Sequence, residues 1–284
     1  MVDRVGFGGI NDTLLRGIEN SRSKSSVSLA KIASGNRLTS AGEDPTANSL
    51  SEQLQSEVTV LSQAARNVDA GVNFINTADG GLSTISDLIA RGRELSVQAS
   101  NGTLNDTQRQ SINQEFTAVR SEIDRITNSA QFNGQPLLNG NLGANSPNQV
   151  NIQAGSGSGP ENQINLNVIE NTGAQALGID KADLSTAEGA RQAFSALDSA
   201  ANKINDPRGQ VGAVGNRLAV SSRVLGNSIE NLSSAQNELT GTDIASEISS
   251  LQQSFNQTQI AVRALGIQNQ QNAQIPGRLL DIRG

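Results

Sequence analysis

The chain of 284 residues contains six Phe and no Trp or Tyr, so its buried area must come from aliphatic side chains. It also contains no His and no Cys, which removes the commonest general base, the commonest metal ligands and any disulfide; we therefore expect neither an enzyme nor a bound metal or cofactor. The net charge of -6 argues against nucleic-acid binding, and no apolar run is long enough to predict a membrane span.

The first predicted helix carries a narrow apolar stripe near the N-terminus. Its members lie three or four residues apart once the serines Ser21 and Ser25 are included. The apolar members are Ile10, Leu14, Ile18, Leu29 and Ile32. The preceding residues lack the apolar segment and cleavage site of a secretory signal peptide, so we expect an exported chain to leave the cell by another route.

A second stripe predicts a long helix between Leu50 and Leu95. Apolar residues recur there every three or four residues, as in a helix that packs lengthwise on partners, and about 50 residues would span roughly 75 Å. Glycines interrupt the stripe, and each costs about 1 kcal/mol relative to Ala in a helix interior. They are Gly71, Gly80, Gly81 and Gly92. We expect them to permit close helix packing; a local break at Gly80–Gly81 is the alternative.

The middle of the chain changes from helical to strand-like patterns. A loop at residues 101–105 precedes an amphipathic stretch from Ile112 to Ile126, which predicts an antiparallel helical hairpin. Beyond Asn128, turns rich in glycine and asparagine separate short runs of alternating apolar and polar residues. We expect β-hairpins at about 131–170.

Helical periodicity returns near Thr186 and is interrupted at Pro207, which lacks the N–H that an interior helical turn donates. A kink is one interpretation; we favour a helix restart with Asp206 as its N-cap. The last stripe is a regular heptad, and we expect its helix to end near Gly266 or to fray toward Pro276. The apolar members of this stripe are Ile244, Ile248, Leu251, Phe255, Val262 and Leu265.

The stripes at the two chain ends are both narrow, which predicts that the ends pair with each other. One thin seam of Leu and Ile side chains, worth about 1.5–3 kcal/mol each, must offset backbone ordering of about 1–2 kcal/mol per residue. Such a pair is marginal in isolation. We hypothesise that the ends are largely disordered in the monomer and fold when neighbouring copies cover their remaining faces.

Several sequence blocks resemble those of bacterial flagellins and follow the order typical of that family. The segment Ser34-Gly-Asn-Arg-Leu-Thr-Ser-Ala-Gly-Glu-Asp-Pro45 is similar to the flagellin turn that joins the first helix to the next. Further similar blocks are residues 66–71, 77–82, 93–98, 122–125, 131–134, 216–217, 229–233 and 242–247. The resemblance runs from about residue 5 to the end of the chain.

The resemblance implies a mainly α fold in which both chain ends form long coiled-coil-like helical rods, with a small β-hairpin region in the middle. It implies an inner domain of residues 1–44 and 241–284 and a second domain of residues 45–240, without variable outer domains. The implied function is that of a secreted structural subunit of the bacterial flagellar filament, which assembles with copies of itself into an extracellular polymer used for motility. Implied partners are an export chaperone that holds the C-terminal segment and the filament cap.

Many flagellins are recognised by an innate immune receptor through an Arg, a Leu four residues later and a Glu on the returning helix. Here these positions hold Arg91, Leu95 and Glu115. The spacing places Arg91 and Leu95 on one helix face, and equal distances from a turn near Thr103 place Arg91 abreast of Glu115. We expect the main role of this face to be packing against the next subunit of a filament.

Two other functions remain open. A hook–filament junction protein of the flagellum also suits the segment Glu43-Asp-Pro45, although the block at residues 131–134 favours a flagellin. A secreted helical adhesin or enzyme is the alternative outside the flagellum, and measurable turnover would support the enzyme.

Overall fold

The computed structural model describes the backbone of residues 4–40 and 42–281 and the side chains of residues 9–40 and 42–270. The α-helices within this part are α1 (Arg4–Ser34), α2 (Pro45–Ala99), α3 (Asp106–Ser129), α4 (Ala174–Leu177), α5 (Ala187–Thr240) and α6 (Ile244–Asp281). The strands are β1 (Gln131–Phe132), β2 (Gln135–Pro136), β3 (Asn151–Gln153) and β4 (Gln163–Asn165). This mainly α fold with a small middle strand region confirms the predicted fold class.

The chain divides into two compact units. One comprises the residues up to Ser56 together with those from Leu232 onward, and the other comprises Glu57–Asn231. This division falls inside α2 and α5, whereas the domain boundaries predicted from the sequence, 44/45 and 240/241, stand at helix ends. None of the helices within the described residues combines the length and the apolarity that crossing a lipid bilayer requires.

The core of the Glu57–Asn231 unit is built from aliphatic side chains, as the composition predicts. Helices α2, α3 and α5 and the segment around the strands all contribute to it. Its largest fully buried side chains are Leu82, Ile85, Ile89, Leu95, Phe116, Ile123, Leu137, Leu138, Leu142, Leu166, Ile169 and Ile179. Burial of about 1.5–3 kcal/mol per side chain makes this core the main source of the unit's stability.

Helix α2 continues through all of its glycines, so the alternative of a break at Gly80–Gly81 is wrong. At Gly81 a Cβ atom would lie 2.7 Å from Leu138 Cδ1, and at Gly92 it would lie 3.2 Å from Leu197 Cδ2. At Gly71 it would lie 3.1 Å from Ile152 Cγ1, whereas at Gly80 it would meet nothing within 4 Å. Close packing therefore explains three of the glycines and leaves Gly80 unexplained.

The turn between α2 and α3 is fixed by local hydrogen bonds. A capping box begins α3, because Asn105 Oδ1 accepts from Gln108 N at 2.9 Å and Gln108 Oε1 accepts from Asn105 N at 2.9 Å. The buried Arg109 side chain reaches back across the turn and donates to Ala99 O at 3.2 Å and to Asn101 O at 3.2 Å. These bonds hold α2 and α3 in the predicted antiparallel hairpin.

The predicted β-hairpins are present as two small antiparallel pairs, β1 with β2 and β3 with β4. The tight turn of the first pair places Asn133 at φ +50 and Gly134 at φ +80, the left-handed conformations of a type I′ turn. Phe132 from this hairpin packs edge-on against Phe74 of α2, with ring centroids 5.8 Å apart. The hairpin is thereby anchored to the long helix.

Two predicted features of the C-terminal half are wrong. Helix α5 runs without a restart through Pro207, whose ring is buried between the buried side chains of Ile204 and Val211, so packing offsets the lost hydrogen bond. Helix α6 does not end near Gly266 or fray at Pro276 but continues to Asp281. Gly266 lies inside the helix rather than in the left-handed conformation that ends one.

Candidate functional site

The two chain ends pair, as predicted, through α1 and α6. Ser28 Oγ, near the end of α1, donates to Glu247 Oε2, near the start of α6, at 2.8 Å. Asn36, just after α1, also bridges antiparallel to Gly241, just before α6. The two helices therefore run antiparallel along each other.

The seam between α1 and α6 is made mainly of small polar side chains. Its buried members are Ile18, Ser21, Ser25 and Ser28 of α1 and Ser254 of α6. Two of the serine hydroxyls bond back to their own helices: Ser25 Oγ donates to Ser21 O at 3.0 Å and Ser254 Oγ to Ser250 O at 2.9 Å. Ser25, Ser28 and Ser254 therefore have hydrogen-bonded hydroxyls, and Ile18 is the one large apolar side chain among the buried members.

The large apolar side chains of both terminal helices lie mostly on the outside of this pair. We call the following set the exposed apolar face, whose members are 48–51% exposed: Ile10, Leu29, Ile244, Ile248, Phe255 and Val262. All six were predicted from the sequence as members of the terminal assembly seam. The α1–α6 pair leaves each of them about half exposed, so their part in assembly stays a prediction. The remaining predicted members are buried (Ile18) or half-buried (Leu14, Ile32, Leu251 and Leu265).

The periodicity of the stripe does not by itself show what covers these side chains. A heptad shows that one helix face is covered, but it does not show whether the cover comes from the same chain or from another copy. In α6 the half-buried Leu251 and the exposed Phe255 are one turn apart, at the edge between the covered and uncovered faces. The serines within the α1 stripe were the signal that its inner side is small and polar.

The structure brings together two of the three residues assigned to receptor recognition. Arg91 Nε donates to Glu115 Oε1 at 3.1 Å, and Arg91 Nη1 donates to Glu94 Oε2 at 2.9 Å. The hydrogen bond to Glu115, followed by the one to Glu94, raises the pKa of Arg91 above its ordinary value. These side chains are exposed and form a charged cluster on the α2–α3 hairpin.

The expectation that Leu95 shares this surface is wrong, because Leu95 is only 1% exposed. Residues four apart differ by about 40° around a helix, enough to move from the solvent edge into the core. Sequence reasoning instead missed an exposed patch nearby, where the Arg93 guanidinium lies 5.4 Å from the centre of the Phe194 ring and Arg93 Nη2 lies 2.7 Å from Asp198 Oδ1. In the sequence, Phe194 follows Ala193 and precedes Leu197 by three residues, and the side chains of Ala193 and Leu197 are buried. The position of Phe194 beside these buried residues was the feature of the sequence that could have indicated the patch.

No group of His, Cys, Asp or Glu side chains that could hold a metal ion occurs in the described part of the chain. Two surfaces have functional geometry: the exposed apolar face and the Arg91 cluster.

Comparison with known proteins identifies the family. The family model described as "Bacterial flagellin N-terminal helical region" matches residues 10–142, and "Bacterial flagellin C-terminal helical region" matches residues 194–275. The chain belongs to the bacterial flagellin family. Among its flagellin relatives, the flagellar filament 30.7 kDa core protein of Treponema maltophilum is 34% identical, with 90% of this chain and 91% of that protein covered. Flagellin of Bacillus subtilis strain 168 is also 34% identical, with 90% and 93% covered.

A fold likeness extends beyond flagellins. A solved structure described as a flagellar hook-associated protein from Vibrio parahaemolyticus has a TM-score of 0.56, with 13% identity over 70% of this chain and 100% of that one. At this identity the likeness concerns the fold alone. The flagellin models and relatives decide between the candidate functions, and they confirm a structural subunit of the flagellar filament.

Proposed function

We propose that this flagellin is exported and assembles with copies of itself, through its two terminal helices, into an extracellular filament. The observation that supports the proposal is the exposed apolar face. Covering the exposed half of an Ile or Phe side chain contributes roughly 1 kcal/mol, so the six residues contribute about 6 kcal/mol per copy. The serine seam alone leaves the α1–α6 pair marginal, so the neighbouring copies complete its fold.

The proposal assigns different roles to the parts of the chain. Residues 1–44 and 241–284 form the inner domain that holds copies together, and residues 45–240 form a second domain. Before assembly, an export chaperone covers the α6 part of the exposed apolar face, and the filament cap guides the incoming copies. The chaperone and a neighbouring copy then compete for the same side chains, Ile244, Ile248, Phe255 and Val262.

Seeded growth tests the assembly role. Purified monomer is added to short filament fragments in a sulfate salt, which strengthens apolar burial, and filament lengths are measured by negative-stain electron microscopy. We expect long filaments from the native chain, none after removal of residues 244–284, and slow growth for Phe255→Ser. The matched control is Asn256→Ser, at the adjacent exposed polar position. Equal growth of the Phe255→Ser and Asn256→Ser chains would refute the role of the face.

We also propose that the exposed Arg91–Glu115 pair contributes to recognition by an innate immune receptor. Leu95 is excluded from direct contact by its burial, so the proposed surface is the charged cluster itself. Arg91→Ala should reduce receptor activation in a reporter cell assay while filaments still form. The control is Arg125→Ala, which removes a comparable exposed ion pair, with Glu122, on α3. Unchanged activation by Arg91→Ala would leave subunit packing as the role of this cluster.

A further inference from the structure

Two connecting segments of the terminal unit are joined to each other. Residues 35–44 connect α1 to α2, and residues 241–243 connect α5 to α6. Arg37 N donates to Thr240 O at 2.6 Å, Arg37 Nη2 donates to Leu239 O at 3.0 Å, and Thr242 N donates to Gly35 O at 3.2 Å. We call these three hydrogen bonds the connector clasp.

The local sequence builds the clasp. Gly35 adopts φ +68, the left-handed conformation that turns the chain sharply after α1. Asn36 Oδ1 accepts from Leu38 N at 2.9 Å, which tightens the turn and presents Arg37 to the end of α5. The last carbonyls of α5, Leu239 O and Thr240 O, have no partner within their own helix and carry its negative dipole end. A guanidinium is the side chain best suited to bind them.

The seam between α1 and α6, in contrast, does little to fix how far one helix slides along the other. Register in a coiled coil is set by large knobs in matching holes or by specific polar pairs. Four of the five buried seam side chains are serines, and the next positions along α6 are Thr258, Ala261 and Ala264. A slide of one heptad, about 10 Å, brings Ala261 to the place of Ser254, so the half-buried Leu251 and Leu265 are the large α6 side chains that oppose it. Among the residues whose side chains are described, one hydrogen bond, Ser28 to Glu247, joins the two helices.

The lengths of the connectors show which helix is free to slide. Helix α6 follows α5 after three residues, whereas α1 is tethered to α2 by ten. The clasp residues of the longer connector, Gly35 and Arg37, lie within three residues of Ser34, the last residue of α1. We propose that the connector clasp, with Arg37 as its positioning residue, sets the register in which α1 pairs with α6. Through that register it sets how the exposed apolar face is presented to neighbouring copies, so the inference rests on the proposed assembly role.

The absence of cysteine from the sequence makes the register measurable. Ser26→Cys on α1 and Asn269→Cys on α6 introduce two exposed thiols about 30 Å apart along the helix axis, so that a slide changes the distance between them. Spin labels are attached to both, and the label distance is read by double electron–electron resonance. The labelled chain is grown onto seeds in a large excess of unlabelled native chain, so that distances within one subunit dominate. With native Arg37 we expect a single distance.

Arg37→Ala should add a second distance between the two spin labels. For a slide of one heptad, this distance differs from the native one by about 10 Å. Loss of one hydrogen bond should raise the slipped population about fivefold. Arg37→Lys, which keeps a charged donor, should restore the native distance. The control is Arg22→Ala on α1, because Arg22 is exposed and its guanidinium has no hydrogen-bond partner among the described residues. A single native distance in the Arg37→Ala chain would overturn the inference, as would a second distance in the Arg22→Ala chain.

A second variant covers the case in which Arg37→Ala does not enter the filament. Gly35→Ala strains the left-handed residue of the clasp, whereas Gly35→Asn tolerates that conformation. We expect the slipped distance in the first and the native distance in the second; the native distance in both would refute the clasp. If the labelled chain with native Arg37 does not elongate seeds, the assembly proposal fails instead. The same distances are then measured on the monomer in trimethylamine oxide, which favours burial.

Discussion

Substituting the adjacent glycines of α2, Gly80 and Gly81, with alanine should have different effects on stability, and only Gly80→Ala should stabilise the protein. In both variants the alanine gains about 1 kcal/mol of helix propensity over glycine. At Gly80 the new methyl group meets nothing within 4 Å, so the gain is kept. At Gly81 it would lie 2.7 Å from Leu138 Cδ1, closer than real contacts allow.

The clash at Gly81 cannot be relieved easily. Leu138 is 0% exposed, and its carbonyl oxygen accepts from Thr172 N at 3.0 Å, so neither its side chain nor its backbone is free to move. Overpacking of this kind costs about 1–3 kcal/mol. We therefore expect Gly80→Ala to stabilise the protein by about 1 kcal/mol and Gly81→Ala to be neutral or to destabilise it by up to about 2 kcal/mol.

Urea unfolding of the monomer, followed by circular dichroism, measures the difference between the two variants. Both exchange glycine for alanine, so their effects on the unfolded chain cancel in the comparison. The free energies of unfolding should differ by about 1–3 kcal/mol, which is the overpacking cost alone. Equal stabilities, or a more stable Gly81→Ala chain, would show that the contact with Leu138 is not as close as described.

Three further predictions concern single side chains. The backbone hydrogen bond from Thr39 lowers the pKa of the exposed Glu43 carboxyl from its ordinary 4.5, so the turn it holds is stabilised above that pH and loosens as pH falls through the lowered value. The protection factor of the Thr39 amide, which compares its hydrogen-exchange rate with that of an unstructured peptide at the same pH, should fall there in the native chain and stay constant in Glu43→Gln. Leu95→Ala removes a core side chain and should lower the free energy of unfolding by about 2–5 kcal/mol in a urea titration; a change below 1 kcal/mol would contradict its burial. Asn105→Ala removes the capping box of α3 and should cost about 1 kcal/mol, measured in the same way, while Gln110→Ala, at an exposed position of α3, tests whether the loss is specific to the cap.

The sequence predicts the long helices well because their periodic stripes extend over many turns. It fails where a local rule competes with packing. Pro207 costs about 3 kcal/mol in a helix interior, and that cost alone favours a restart. Burial of Ile204 and Val211 on either side contributes about 1.5–3 kcal/mol each and keeps the helix continuous. The free-energy cost of the proline can be estimated from the sequence alone, whereas the burial of its neighbours, which offsets that cost, cannot.

The sequence also predicts one part of the candidate site and fails for another part. Counting residues from the turn near Thr103 was enough to place Arg91 beside Glu115, because both helices advance by the same rise per residue. Counting residues from the turn was not enough for Leu95. The burial of its side chain depends on how the other helices of the unit pack, and the sequence does not specify that packing. The connector clasp could not be predicted for a different reason: all three of its acceptors and two of its three donors belong to the backbone.

The sequence prediction and the structure differ most in the terminal helices, and the difference has a physical consequence. If Leu29, Ile248 and Phe255 faced each other across the seam, the pair would be stable alone and would offer neighbours little apolar surface. With serines inside and these side chains outside, the pair gains most of its burial only from other copies. On the proposed function, folding of the chain ends and growth of the filament are then one thermodynamic step, and a conformation that folds fully as a monomer would be a poor subunit.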